Sequence, residues 1–167
     1  MTYRPPFYLR NGHIQSIYPS LFRNPPSANI STTTIATPDA DFLTLDWYLR
    51  GHKRLAILSH GLEGHSRRPY ITGMANYLTE HQWDCLAWNF RGCGDAPNNH
   101  PHSYHSGKTE DLSLVIKEAI SQGYQEIALI GFSIGGNKTL LHLGRESALI
   151  PKEVIASVTF SVPCDLT

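Results

Sequence analysis

The chain has no excess of charge of either sign. Its fourteen basic and fourteen acidic residues cancel, so the sequence predicts no basic surface of the kind that binds nucleic acid or an anionic membrane. This balance disfavours nucleic acid as a partner. It favours a small, uncharged molecule instead.

The chain also lacks a long apolar run and has few cysteines. No apolar segment approaches the ~20 residues of a membrane span, and Met1 to Pro6 contain no apolar core of a signal peptide. Cys85, Cys93 and Cys164 are odd in number and form no C-x-x-C pair, which is typical of reduced thiols. We therefore expect a cytoplasmic protein without a transmembrane segment.

The composition suits one globular core with an arm. Of the 167 residues, 41% are hydrophobic, which is enough to bury a core. Residues 1–28 contain five of the eleven prolines, so we expect an extended arm with at most one short helical turn, packed on the core. Residues 29–167 are expected to form the core domain.

Strand and helix patterns alternate along this core. A hairpin is predicted over residues 30–49. Further strands are predicted at 55–59, 85–90, 127–130 and 154–162, and helices between them at 70–81, 109–122 and 134–147. Such alternation predicts an α/β fold in which a mainly parallel sheet carries helices on both faces, with its ligand crevice at the C-terminal ends of the strands. The turns at His60-Gly61, Arg91-Gly92 and Ser133 all fall at such ends.

The stretch Gly131-Phe132-Ser133-Ile134-Gly135 joins a predicted buried strand to a predicted helix. This is the setting of a nucleophile elbow. There Ser133 would hold a strained backbone conformation, and the glycines at 131 and 135 would avoid clashes with the neighbouring strand and helix. The amide of Ile134 would point at a developing oxyanion. A glycine-rich turn with an incidental serine is the alternative interpretation.

Other patterns in the sequence do not complete a binding motif. Neither Ser106-Gly107-Lys108-Thr109 nor Gly92-Cys93-Gly94 has the further glycine that a phosphate-binding loop or a dinucleotide fingerprint requires. The histidines at 100, 102 and 105 lack the i, i+4 spacing of ligands on a helix. We therefore predict no metal and no cofactor.

Five short motifs follow one another along the chain: Gly12-His13-Ile14-Gln15, His60-Gly61-Leu62-Glu63-Gly64, Asn89-Phe90-Arg91-Gly92-Cys93, Tyr104-His105-Ser106-Gly107 and Gly131-Phe132-Ser133-Ile134-Gly135-Gly136-Asn137. In this order they resemble the YheT-like branch of the α/β-hydrolase superfamily, serine hydrolases of the esterase and lipase type. The resemblance covers nearly the whole chain. It departs at Gly94-Asp95, where the family often has a small residue followed by glycine.

The resemblance implies an α/β-hydrolase fold with Ser133 as the catalytic nucleophile. It further implies that the backbone amides of Leu62 and Ile134 form the oxyanion hole and that Gly61 belongs to the turn beside the elbow. A histidine at the position of His60 usually braces this turn and is not expected to be the base. The substrate it implies is a small-molecule ester.

A catalytic acid and base are missing from the expected places. In this fold they follow the serine along the chain, yet the single later histidine is His142, nine residues on in the same predicted helix and pointing away from Ser133. The resemblance therefore implies that both lie beyond residue 167 and that the sheet is truncated after about six strands of about eight. Residues 1–167 alone are then expected to be inactive or weakly active.

The last predicted strand would be an apolar edge, which natural sheets avoid. We therefore expect self-association of this chain through residues 154–162. Two functions stay open from the sequence. The favoured one is a serine hydrolase that cleaves carboxylic esters through an acyl-enzyme on Ser133, and the alternative is a non-catalytic α/β-hydrolase-like half-domain that binds a partner or a small ligand.

Overall fold

The computed structural model describes residues 4–22, 25, 29–99, 107, 109–145 and 147–164 and places a six-stranded sheet at their centre. The strands are β1 (Ser31–Ala36), β2 (Phe42–Tyr48), β3 (Arg54–Ser59), β4 (Trp83–Trp88), β5 (Glu126–Phe132) and β6 (Val154–Phe160). The helices are α1 (Gly12–Phe22), α2 (Pro69–Glu80), α3 (Glu110–Ser121) and α4 (Ile134–Arg145), with short 3-10 turns at Phe7–Leu9 and Ser147–Leu149. From β1 onward these bounds confirm the predicted elements to within two residues.

The strands lie in the order β1-β2-β4-β3-β5-β6. β1 and β2 form the predicted hairpin, β2 is antiparallel to β4, and the other neighbours are parallel. From β3 the chain moves outward to β4 and then crosses back to β5 on the other side of β3. The crevice where the strand order reverses therefore lies at the C-terminal ends of β3 and β5, where Ser59 pairs with Gly131.

Helices cover both faces of the sheet, as the sequence predicted. Because neighbouring side chains of a strand point to opposite faces, Leu55 and Ile57 of β3 pack in one buried cluster and Ala56 and Leu58 in another. The first cluster is closed by the apolar face of α3, which presents Leu112, Val115, Ile116 and Ala119. The second is closed by Ile71 and Ala75 of α2.

The N-terminal arm differs from the prediction of at most one short helical turn. It contains the eleven-residue helix α1 in spite of Pro19. The Asn11 side chain accepts a hydrogen bond from the His13 amide at 2.9 Å and so caps the helix. The apolar residues Ile14, Ile17, Tyr18 and Leu21 of α1 are exposed, so packing of residues 1–28 on the core stays a prediction. Among the described residues no helix is long and apolar enough to cross a bilayer.

β6 forms one edge of the described sheet. It pairs with β5 on one side and ends at Phe160, two residues before the predicted end. Its apolar side chains are strongly exposed, with Ile155 at 54% and Val158 at 49%. The edge is therefore apolar, as expected from the sequence.

Candidate active site

Ser133 is the single residue between the end of β5 and the start of α4. Its φ is +52°, a left-handed conformation that costs a non-glycine residue about 1 kcal/mol or more. The Ser133 amide donates to the Phe160 carbonyl at 2.9 Å, and its carbonyl accepts from the Asn137 amide at 3.0 Å. The strained turn is thus held between the end of β6 and the first turn of α4.

Two glycines permit the close contacts of this turn. A Cβ at Gly131 would lie 2.5 Å from the Gly136 Cα and 2.7 Å from the Gly135 carbonyl oxygen. A Cβ at Gly135 would overlap the backbone of Ser59 and His60, at the end of β3. Both collisions are with backbone, which cannot rotate away as a flexible side chain could.

The turn after β3 approaches the serine directly. A Cβ at Gly61 would be 3.3 Å from the Cβ of Ser133, so the Gly61 backbone faces the serine side chain. This proximity follows from the pairing of Ser59 with Gly131. The structure therefore brings Gly61 to Ser133, as the parallel order of β3 and β5 predicts.

Two backbone amides of the turns beside Ser133 have no acceptor among the described residues. One belongs to Ile134, the first residue of α4, whose N–H has no partner within the helix. The other belongs to Leu62, which follows Gly61 in an exposed part of the turn. A negative charge near Ile134 would also be stabilised by the α4 dipole.

His60 is fully buried beside this site and is held as a neutral ring. Its Nε2 accepts a hydrogen bond from the Phe90 amide at 3.1 Å, so the proton lies on Nδ1, which donates to the Gly61 carbonyl at 2.8 Å. Burial lowers the pKa of His60 to about 4. Because both nitrogens are engaged with backbone, the ring braces the turns after β3 and β4.

Arg91, in the turn after β4, forms a buried ion cluster. Its guanidinium contacts both carboxylate oxygens of Asp111, at 3.0 Å from Nε to Oδ2 and 2.8 Å from Nη2 to Oδ1, and it also donates to Asp39 at 2.6 Å. The hydrogen bond from Arg91 holds the pKa of Asp39 well below its usual range. The cluster joins the β4 turn to the start of α3 and the β1-β2 turn.

Tyr70 is a residue of this site that the sequence analysis did not single out. Its hydroxyl accepts a hydrogen bond from the Gly61 amide at 2.9 Å. Its ring packs edge-on against Phe132 at 5.1 Å between centroids, and Phe132 stacks on Phe160 at 5.0 Å. Nine residues separate Tyr70 from Gly61, and no local pattern indicates such a contact.

Several sequence candidates lie elsewhere. His142 is buried in α4, nine residues after Ser133. The histidines at 100, 102 and 105 and the Tyr104-His105-Ser106 part of a motif lie outside the described residues. In the described part of the chain no group of three or more His, Cys, Asp or Glu is placed to hold a metal ion.

A cavity of about 1020 Å³ opens at the opposite end of the sheet from Ser133. It is lined by the starts of β3 and β5 and by the turns that lead into them, including Arg54, Asp84 and Glu126. Asp84 is buried there, and its carboxylate accepts hydrogen bonds from the Arg50 amide at 2.8 Å and the Tyr124 hydroxyl at 2.8 Å. This carboxylate therefore holds neighbouring segments together.

Comparison with known proteins gives consistent results. A family model described as the alpha/beta hydrolase fold matches residues 57–166. YheT from Escherichia coli (strain K12) is 34% identical over 158 residues, which cover 92% of this chain and 46% of YheT. A monoacylglycerol lipase from Saccharomyces cerevisiae is 29% identical over 116 residues, which cover 68% of this chain and 25% of the lipase. The chain thus spans less than half the length of these two relatives.

The fold also matches solved structures. The esterase Pf2001 from Pyrococcus furiosus superimposes with a TM-score of 0.66 over 96% of this chain and 58% of the esterase, at 22% sequence identity. At that identity the likeness concerns the fold.

Proposed function

This chain belongs to the alpha/beta hydrolase fold family, and on that premise we propose that it carries the nucleophile of a serine hydrolase. The reaction we propose is cleavage of a carboxylic ester through an acyl-enzyme on Ser133. The observation that carries the proposal is the backbone of Ser133, left-handed at +52° between a parallel strand and a helix. A serine in such an elbow presents its hydroxyl at the crevice formed by the strand ends.

The amides of Leu62 and Ile134 are the proposed oxyanion hole. The Gly61 backbone faces the Ser133 side chain, and Leu62 follows directly. Ile134 is the residue after the nucleophile, which is where this fold takes one of its two donors. Two such donors stabilise the charge of a tetrahedral intermediate, and loss of one typically costs about 10²- to 10³-fold in kcat.

The base and its acid partner are proposed to come from outside residues 1–167. Backbone hydrogen bonds occupy both nitrogens of His60. His142 lies in α4, nine residues beyond Ser133 and about 13 Å along the helix axis. Residues 1–167 alone should then retain at most the residual acceleration of binding and the oxyanion hole, about 10³- to 10⁴-fold over water.

The proposed substrate is a small-molecule ester, since two relatives in sequence, YheT and the yeast protein, are named as an esterase and a monoacylglycerol lipase. A cytoplasmic location is part of the proposal. It is supported by the cysteine usage, since Cys85, Cys93 and Cys164 are odd in number and form no C-x-x-C pair, which suits a reducing compartment. Self-association of residues 1–167 through β6 is proposed on the exposure of its apolar side chains.

Covalent labelling by a fluorophosphonate tests the nucleophile. In the complete protein we expect one labelled serine, identified as Ser133 by mass spectrometry of the labelled peptide, and no labelling of Ser133→Ala.

A matched control is Ser161→Ala. Ser161 also has a left-handed backbone, at φ +51°, just after the neighbouring strand β6, so its replacement tests whether strain at a strand end is sufficient for reactivity. It should leave labelling unchanged. Equal labelling of wild type and Ser133→Ala would remove Ser133 from the mechanism, and no labelling of either would favour the non-catalytic alternative.

A further inference from the structure

The turn after β3 is arranged so that one of its amides points outward. The Gly61 carbonyl oxygen accepts two hydrogen bonds from within the turn, from His60 Nδ1 at 2.8 Å and from the Gly64 amide at 3.0 Å. The Gly61-Leu62 peptide is trans, so its N–H points opposite to its carbonyl. Because the oxygen faces the turn, the Leu62 N–H is directed away from it.

The preceding amide, that of Gly61, is engaged in a hydrogen bond with a side chain. Its N–H donates to the Tyr70 hydroxyl at 2.9 Å. An N–H group makes one strong hydrogen bond, so the Gly61 amide is engaged and the Leu62 amide is the donor left for a substrate. The Tyr70 hydroxyl thus engages the first of two successive amides and not the second.

The Tyr70 hydroxyl is held in place from several sides. A Cβ at Gly64 would come within 2.8 Å of it, and a Cβ at Gly61 would lie 3.6 Å from it. The Tyr70 ring rests on Phe132, the residue before Ser133. The phenol therefore fills the space beneath the turn, between Gly64 and the elbow.

We infer that Tyr70 is a positioning residue: its hydroxyl fixes the turn through the Gly61 amide and so aligns the Leu62 amide with the oxyanion that forms at Ser133. This inference rests on the proposed function. Replacement by phenylalanine removes one oxygen atom and keeps the ring on Phe132. The Gly61 N–H then loses its acceptor, so the His60-Gly61 peptide that leads into the turn is no longer fixed and the Leu62 amide that follows it loses its alignment.

The test compares Tyr70→Phe with Tyr77→Phe in the complete protein. Tyr77 lies in the same helix with an exposed ring that stacks on His81, so its hydroxyl is a matched control. Active sites are first titrated with a fluorophosphonate, and hydrolysis of a p-nitrophenyl ester is then measured per titrated site. For Tyr70→Phe we expect kcat to fall about 10²-fold with little change in KM, and for Tyr77→Phe no change.

A second readout separates positioning from a purely structural role. A trifluoromethyl ketone forms a tetrahedral adduct with an active serine, and its affinity should fall in Tyr70→Phe by the same factor as kcat, because both depend on the oxyanion donors. A structural role would instead reduce the number of titratable sites and leave kcat per site and ketone affinity unchanged, which would overturn the inference.

The outcomes also distinguish this inference from the proposed function. If Ser133→Ala abolishes labelling but Tyr70→Phe matches wild type within about twofold in kcat per site, Tyr70 has no positioning role and the nucleophile stands. If Ser133→Ala is labelled like wild type, the proposed function and the role of Tyr70 fall together.

Discussion

Mild acid should destabilise this protein through His60. The ring is fully buried, and its Nε2 accepts the Phe90 amide at 3.1 Å. Protonation would place a second N–H against the one that Phe90 already presents, and it would bury a charge. Burial is the main cause that lowers the pKa of His60 from 6.5 to about 4, although the hydrogen bond with the Gly61 carbonyl acts to raise it.

The size and direction of the effect follow from this shift. Since the pKa of folded His60 lies below that of the unfolded chain, the unfolded chain binds the proton first as the pH falls. The contribution of neutral His60 is therefore complete above pH 6.5 and is lost progressively toward pH 4. At about 1.4 kcal/mol per pKa unit, acidification from pH 7 to pH 5 should remove about 2 kcal/mol of unfolding free energy through this residue alone.

Urea unfolding of the complete protein at pH 7, 6 and 5 measures the effect. Wild type should lose about 2 kcal/mol more over this range than His60→Gln, although the variant starts less stable because it loses hydrogen bonds. Burial also lowers the pKa of His65, but His65 is present in both proteins and cancels in the difference. His81→Gln, at an exposed position, is the control and should follow wild type. Equal pH dependence of wild type and His60→Gln would refute the reasoning.

Two further predictions concern stability and assembly. Arg91→Lys should lower the unfolding free energy by about 3 kcal/mol, because lysine cannot reproduce the paired contacts with Asp111 in a buried cluster. The control Arg54→Lys, in an exposed pair with Glu126, should change the unfolding free energy by less than about 0.5 kcal/mol, and similar losses for both variants in urea unfolding would contradict the prediction. Residues 1–167 should sediment as a dimer or larger species. Val158→Lys should shift them toward monomer, because lysine on an edge strand opposes edge-to-edge pairing, and a wild-type monomer at tens of micromolar would argue against association through β6.

Much of the sheet, and the approach of the Gly61 turn to Ser133, could be predicted because the patterns involved are local. The apolar runs of β3 and β5 mark buried strands, and parallel strands place their C-terminal ends at one edge, which brings the Gly61 turn to Ser133. The interpretation of His60 as a brace agrees with its two backbone hydrogen bonds. That interpretation rests on the family resemblance, whereas the periodicity of the sequence carries the information about the strands.

Other features depend on contacts that local patterns do not report. The prolines of residues 1–28 predict an extended arm, yet the spacing of Ile14, Ile17, Tyr18 and Leu21 is helical, and α1 forms there. β4 begins at Trp83, two residues before the predicted start, because Asp84 is satisfied by the distant Arg50 amide and Tyr124 hydroxyl. The partners of Tyr70 and Arg91 are likewise set by the tertiary fold.

The packing at Gly131 and Gly135 also determines what a saturation library of this chain would contain. Every other amino acid carries a Cβ, and a Cβ at either position meets backbone, so all missense codons at both sites should be depleted for folding alone. A descendant in which another residue replaced Ser133 would still need both glycines. Glycine at these positions therefore identifies the shape of the turn, and only the residue at 133 reports whether a nucleophile is present.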